Sequence, residues 1–251
     1  MPAPILPGAE PASFGGGPDG VVVLHGFTGN PFSMRPLAEA VAAAGYTVEL
    51  PLLPGHGRTV DDMMPTRWAD WSGEVERVYR DLAGRCERVA VVGLSMGGTL
   101  AVWLAAHHPE IAALVTVNAA VEPGGGALVE MGRQLLEEGT EVLPGIGSDI
   151  ARPDATELSY DGVPVGALMS MAEAVDGLET LIPEVRCPAL VFTSTQDHVV
   201  PPSAGEYLAS HLGGPVERVT LERSYHVATL DFDAAEIERR TVEFLGKIFA
   251  R

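Results

Sequence analysis

The sequence predicts a doubly wound α/β domain, a mostly parallel sheet with helices on both faces. Three observations carry this. Short runs rich in β-branched residues, such as "GVVVL" and "RVAVVG", alternate with longer stretches of helical character. The runs are continuously apolar, as strands covered on both faces require. Finally, "GLSMG" (93–97), a G-x-S-x-G pattern, falls where one such strand meets a helix.

Taken in order, "GVVVLHG" (20–26) reads as a buried strand and "PFSMRPLAEAVAAAG" (31–45) as a helix ended by Gly45. A second strand, "YTVELP" (46–51), is followed after a loop by the helical "WADWSGEVERVYRDLAGR" (68–85). Strand 88–93, helix 97–107 and strands 111–120 and 188–195 come next. Helix 203–212, strand 216–222 and a helix over about 234–249 complete a pattern with at least six strands. The interval between Ala120 and Cys187 is far longer than a crossover needs. Its first part is rich in glycine and proline and carries Met131, Leu135, Leu143 and Ile146; its second carries Leu158, Tyr160, Leu168, Met169 and Met171. The expected organisation is a core of residues 1–120 and 187–251 with an inserted cap or lid, 121–186, over the carboxyl ends of the strands. A surface excursion with its own small core is the alternative.

Composition narrows the function. The 251 residues are 46% apolar and 20% charged, enough to bury a sizeable core. A net charge of -18 repels phosphate backbones and anionic headgroups, which argues against nucleic-acid partners and polybasic membrane docking. No run approaches the ~18 apolar residues that span a bilayer, and "MPAPILPGAEPASFGGG" has neither the basic start nor the apolar core of a signal peptide. The expectation is a soluble, cytoplasmic protein. Cys86 and Cys187 form no C-x-x-C pair, which excludes a Cys-built zinc site and a disulfide framework; two buried thiols are expected. The single lysine, Lys247, ends the last helix and suits neither Schiff-base nor P-loop chemistry.

Ser95 lies at the centre of G-x-S-x-G, on a strand-to-helix turn that would expose its hydroxyl above the sheet. Gly93 and Gly97 leave room for the turn, and Gly98 for close helix packing. A serine hydroxyl needs a base. His226 in "RSYHVATLD" follows the strand ending near Glu222, and Asp197 in "FTSTQDHVVPP" follows the strand before it. Ser95, Asp197, His226 is the chain order of the α/β-hydrolase fold. His198 adjoins the acid and cannot turn onto it, while His107, His108 and His211 read as caps at helix ends. For the oxyanion, the N–H of Met96 follows the nucleophile, and the loop "HGFTG" (25–29) offers Phe27, shaped by His25 and Gly26.

The chain resembles the bacterial monoacylglycerol lipases, with the thermostable Bacillus-type carboxylesterases as near relatives. The resemblance is carried by "HGFTGNPFSMRPLAEAVAAAGYTVELPLLPGHG", "GLSMGGTL", "VNAAVE", "GIGSD", "CPALVF", "DHVVPP" and "SYHVATLD". It implies a capped α/β hydrolase that splits monoacylglycerols into glycerol and fatty acid, with no cofactor and no metal. Its partner would be a small ester, with no nucleic acid and no stable membrane anchor, and the enzyme a monomer or homodimer. It also implies the triad Ser95, Asp197 and His226, the oxyanion pair Phe27 and Met96, and glycerol-facing positions at Ile146 and Glu157. Residues 122 to 142 depart most from the family. "DATE" (154–157) equally has the spacing of a capping box at the start of a cap helix. A general carboxylesterase without glycerol preference is the main rival, and a binding protein that has lost turnover the remote one.

Overall fold

The structure is a computed structural model describing residues 2–250; Met1 and Arg251, at the outer ends of the expected core, lie outside the described residues. The chain opens with β1 (Ala12–Phe14) and β2 (Asp19–Leu24), then α1 (Arg35–Ala43), β3 (Thr47–Leu50), α2 (Val60–Met63) and α3 (Trp68–Ala83). Next come β4 (Arg88–Leu94), α4 (Met96–His107) and β5 (Ala113–Val117). The long interval folds as α5 (Gly126–Glu137), a hairpin of β6 (Val142–Pro144) and β7 (Gly162–Pro164), and α6 (Val165–Gly177). The chain ends with β8 (Ala189–Ser194), α7 (Ser203–His211), β9 (Val216–Leu221) and α8 (Ala234–Phe249).

A seven-stranded sheet has the order β1-β3-β2-β4-β5-β8-β9, parallel throughout except that β1 pairs antiparallel with β3 at one edge. Side chains alternate between two cores, as the period of a strand demands. Val22, Leu24, Val89 and Val91 pack with Trp71, Leu100 and Leu104 of α3 and α4 on one face. On the other, Val21, Val23, Ala90 and Val92 meet Leu37 and Val41 of α1 and Leu245 of α8. Both faces are fully covered, which explains why these strands read as unbroken apolar runs.

Several boundaries differ from the sequence reading, each for a local reason. The helix expected over 31–45 divides into a 3-10 turn, Pro31–Ser33, and α1. Asn30 caps the short turn through Phe32 N–H (3.0 Å), and Pro36, which has no N–H to give, falls in the first turn of α1 where none is required. Strand 111–120 shortens to β5 because Asn118 turns to φ +47. His108 is no exposed cap: its Nε2 lies 2.7 Å from Glu76, whereas exposed His107 does face Trp103 O at 2.8 Å. Cys86 and Cys187 are free but only half-buried. Among the described residues no helix is long and apolar enough to cross a membrane.

The tightest packing lies where α4 leaves β4. A Cβ on Gly93 would come 2.1 Å from Gly97 O, one on Gly97 2.3 Å from Leu24 O, and one on Gly98 2.6 Å from the Ala119 Cβ. Gly97→Ala must therefore move backbone, and should cost about 1–3 kcal/mol and lower Tm by several degrees. Gly73→Ala, on an exposed part of α3 with nothing within 4 Å of its Cβ, should stabilise by up to about 1 kcal/mol. Thermal unfolding of the two variants checks this, and a Gly97→Ala protein as stable as wild type would contradict the close approach.

Candidate active site

The site lies at the carboxyl ends of the parallel strands, where the crossovers leave room above the sheet edge. Loops leaving β2, β4, β5, β8 and β9 supply Phe27, Ser95, Asn118, Asp197 and His226 in turn. The only non-glycine residues at positive φ among those described are Thr28 (60°), Ser95 (53°) and Asn118 (47°), all in these loops. Each such residue carries a backbone strain of about 1–3 kcal/mol, which persists only where the surroundings over-determine it. Ser95 is held by its N–H to Val117 O (2.9 Å), and its own carbonyl accepts from Thr99 N–H (3.0 Å) as α4 begins.

Asp197 and His226 meet across the β8 and β9 loops. Asp197 Oδ2 lies 2.7 Å from His226 Nδ1, and Oδ1 accepts the N–H groups of Val199 and Val200, both at 2.8 Å. The carboxylate is 2% exposed and the imidazole 8%. A carboxylate so buried is tolerable because donors meet both of its oxygens. The same bond leaves Nε2 free to exchange a proton. The His226 carbonyl accepts from Asn118 Nδ2 (2.8 Å), while Asn118 Oδ1 takes Ser194 N–H (2.8 Å), tying β5, β8 and the histidine loop together.

The loop after β2 is equally fixed. Leu53 N–H donates to His25 Nε2 (3.1 Å), so Nδ1 carries the proton and donates to Gly26 O (2.9 Å). That bond sets the plane of the Gly26–Phe27 peptide, and with it the direction of the Phe27 N–H. Burial, and then neighbouring His56, push the His25 pKa down to about 3; burial takes His56 to about 4, so both rings stay neutral. The Phe27 ring packs edge-on against Trp71 at 5.7 Å, so packing fixes this residue from the side-chain end as well. Met96 begins α4, where the N–H has no acceptor within its own helix.

Ser95, His226 and Phe27 share a cavity of about 350 Å³ with residues of the long insertion. Its walls are largely apolar, with Leu128, Leu143, Leu168 and Met171 from the insertion and Val199 and Val200 from the acid loop. Ile146 stands at this cavity but is 68% exposed, at its rim. Glu157 also lines it, and its carboxyl stands close against Gly29, where an added Cβ would come 2.9 Å from Oε1. Residues 154–157 form no helix, so the alternative capping-box reading of "DATE" fails. Asp154 pairs instead with Arg152, and Glu157 N–H donates to Ser148 Oγ (2.6 Å). Burial pushes the Glu157 pKa up to about 7, against the opposing pull of His226 and a hydrogen bond with Ser33.

Sequence reasoning passed over Asn118 and Asp149. Asn118 stands in "VNAA", and a polar residue ending an apolar strand was its only signal. Asp149 stands in "GIGSD" and lines the cavity beside His226.

Over most of its length the chain is similar to known proteins. The model of the Alpha/beta hydrolase family matches residues 21–240. The chain is 46% identical to the thermostable monoacylglycerol lipase of Bacillus sp. (strain H-257), covering 97% of each chain. It is 24% identical to a carboxylesterase of Bacillus subtilis (strain 168) over 95% of this chain and 97% of that one. Among solved structures, one from work on the metagenome-derived lipolytic enzymes LipS and LipT superposes with a TM-score of 0.93 at 43% identity, covering 97% of this chain and all of the other.

The raised pKa of Glu157 makes a prediction about stability. A carboxyl raised from 4.5 to about 7 binds its proton more tightly folded than unfolded. The stabilisation is complete below the unfolded value and is lost as pH rises through the folded one. Glu157→Gln, which cannot ionise, should gain on wild type between pH 4.5 and about 7, by up to about 3 kcal/mol. Tm measured at pH 4.5, 6 and 8 tests this; a difference constant across the three would exclude the raised pKa.

Proposed function

The chain belongs to the Alpha/beta hydrolase family and is a carboxylic ester hydrolase, and from that premise we propose that it cleaves monoacylglycerols through an acyl-enzyme on Ser95. The carrying observation is that Ser95 and His226 open onto a mainly apolar cavity of about 350 Å³ whose wall also includes the Glu157 carboxyl. One acyl chain fits such walls, with burial contributing about 0.8 kcal/mol per methylene. The carboxyl of Glu157 accepts hydrogen bonds from the free hydroxyls of the glycerol end. Ile146, at the rim, touches that end only from outside.

In this reading the insertion, residues 121–186, acts as a cap that supplies about half of the cavity wall. Ser95 Oγ attacks the ester carbonyl as His226 Nε2 takes its proton, and Asp197 holds the imidazole with its proton on Nδ1. The oxyanion forms against the Phe27 and Met96 N–H groups, whose directions are set before the substrate arrives. His226 returns the proton to the glycerol oxygen, and the alcohol leaves. Water then attacks the acyl-enzyme by the same route, releasing the fatty acid and restoring Ser95.

Ser95→Ala should fold with an unchanged circular dichroism spectrum and lose at least about 10⁴-fold in kcat; near wild-type turnover would remove the nucleophile. Glu157→Leu tests the substrate. At pH 8, above the Glu157 pKa of about 7, a hydrogen bond to the charged carboxylate contributes roughly 1.5–3 kcal/mol, a factor of about 10 to 100. The variant should lose about that factor in kcat/KM on a 1-monoacylglycerol and little on the methyl ester of the same acid. Equal losses on both would instead favour a carboxylesterase without glycerol preference.

A further inference from the structure

We propose that Asp149, supplied by the insertion, is a positioning residue for ester hydrolysis that holds the His226 backbone in register with Asp197. The proposal rests on the reading of His226 as the base. His226 N–H donates to Asp149 Oδ2 (3.0 Å), and the next residue, Val227, donates its N–H to the Asp149 carbonyl (3.0 Å). One residue thus receives two successive amides of the histidine loop. The same carboxylate also takes the neighbouring loop. Its Oδ2 accepts His198 N–H (3.2 Å), and its Oδ1 lies 2.8 Å from His198 Nδ1.

His198 follows Asp197 directly in the chain. Beyond the bond from Gln196 Nε2 to Glu222 O (2.7 Å), the acid loop and the base loop are therefore joined twice beside the imidazole, once by the Asp197–His226 side chains and once through Asp149. The exposed His198 ring, which cannot serve the catalytic acid, gains a structural reason in this second joint, and it packs edge-on against Tyr225 at 4.5 Å.

Asp149 is itself held in place. Two residues on, Ala151 and Arg152 donate their N–H groups to Asp231 (2.7 and 3.0 Å), which also accepts Tyr225 N–H (2.9 Å). Asp231 is 1% exposed. The insertion and the histidine loop thus exchange carboxylates: Asp149 receives amides of the loop, and Asp231 receives amides of both. At the far end of the same segment, Tyr160 N–H donates to Thr28 O (3.2 Å) and Asn30 Nδ2 to Leu158 O. The strap 148–160 is therefore fastened beside the base and beside the oxyanion loop. It forms part of the cavity wall, tied to the rest of the chain at both ends.

Displacement of a catalytic group by about 1 Å can cost about 100-fold. Asp149→Ala should lower kcat per active site about 10- to 100-fold on a short-chain p-nitrophenyl ester, with sites counted by fluorophosphonate titration. KM should change less than about threefold, and the rate of fluorophosphonate labelling should fall in parallel with kcat. Asp149→Asn keeps an acceptor for the His226 amide and should recover most of the loss; should the alanine variant fail to fold, Asp149→Ser takes its place in the comparison with Asn. A lowered Tm with wild-type kcat per titrated site is what a purely structural brace gives, and overturns the proposal. Equal impairment of the Asn and Ala variants overturns it too. His226→Ala separates the two readings. If that variant kept wild-type turnover, the base assignment and this proposal would fall together; if it is inactive while Asp149→Ala is unimpaired, only the proposal falls.

Discussion

The hydrogen bond between Asp197 and His226 places a carboxylate and an imidazole, both almost wholly out of water, between the loops that leave the neighbouring strands β8 and β9. Such a pair is stable only if each polar atom is met, because an uncompensated buried charge costs more than the pair returns. The surroundings answer that demand atom by atom. Val199 and Val200 complete the carboxylate, Asn118 takes the His226 carbonyl, and Asp149 takes its amide. Removing any of these partners leaves a buried group unpaired. For this reason β5, β8, β9 and the insertion form one mechanical unit above the sheet.

A second constraint is steric. The serine can stand above the sheet only if β4 turns into α4 within one residue, and that residue must take a positive φ. Gly93, Gly97 and Gly98 supply the space, with added Cβ atoms meeting Gly97 O, Leu24 O and Ala119 at well under 3 Å. Here the glycines, which in a helix would otherwise only weaken it, bring α4 down against β2. The same contact brings the oxyanion loop close to Ser95, since a Cβ on Gly26 would stand 3.4 Å from the serine Cβ. Ser95 and the loop after β2 are thereby spaced by main-chain packing, and their separation does not depend on flexible side chains.

Charge is arranged differently inside and outside. The surface carries the acidic excess of a chain with net charge -18, while the cavity is apolar apart from a few groups at the reactive end. Glu157 lies at that end with its pKa raised to about 7. Burial opposes its ionisation, and the nearby His226 and a hydrogen bond with Ser33 only partly offset that. Either form accepts a hydrogen bond, so a hydroxyl partner can be bound across this range.

Much of this was readable in the chain itself. The apolar runs of β2, β4, β5 and β8 identified buried parallel strands because coverage on both faces forbids alternation. G-x-S-x-G pointed to Ser95 because only small residues fit a turn so tight, and chain order singled out Asp197 and His226 among the available acids and histidines. Such features depend on local sterics and periodicity, which neighbours in sequence decide. The β6–β7 hairpin and the edge strand β1 were not legible: each is only three residues long, too short for a period to show. "DATE" had the spacing of a capping box and formed none, because nothing after it continued a helix. The contacts of Asp149 were equally hidden, since the amides its carboxylate receives belong to His198 and His226, 49 and 77 residues away. The sequence alone determined the fold class and the residue types of the chemistry, through local backbone geometry and burial. Only the tertiary structure decided which carboxylate meets which buried amide, because a main-chain N–H is the same at every residue and its partner is set by where the folded chain brings a carboxylate.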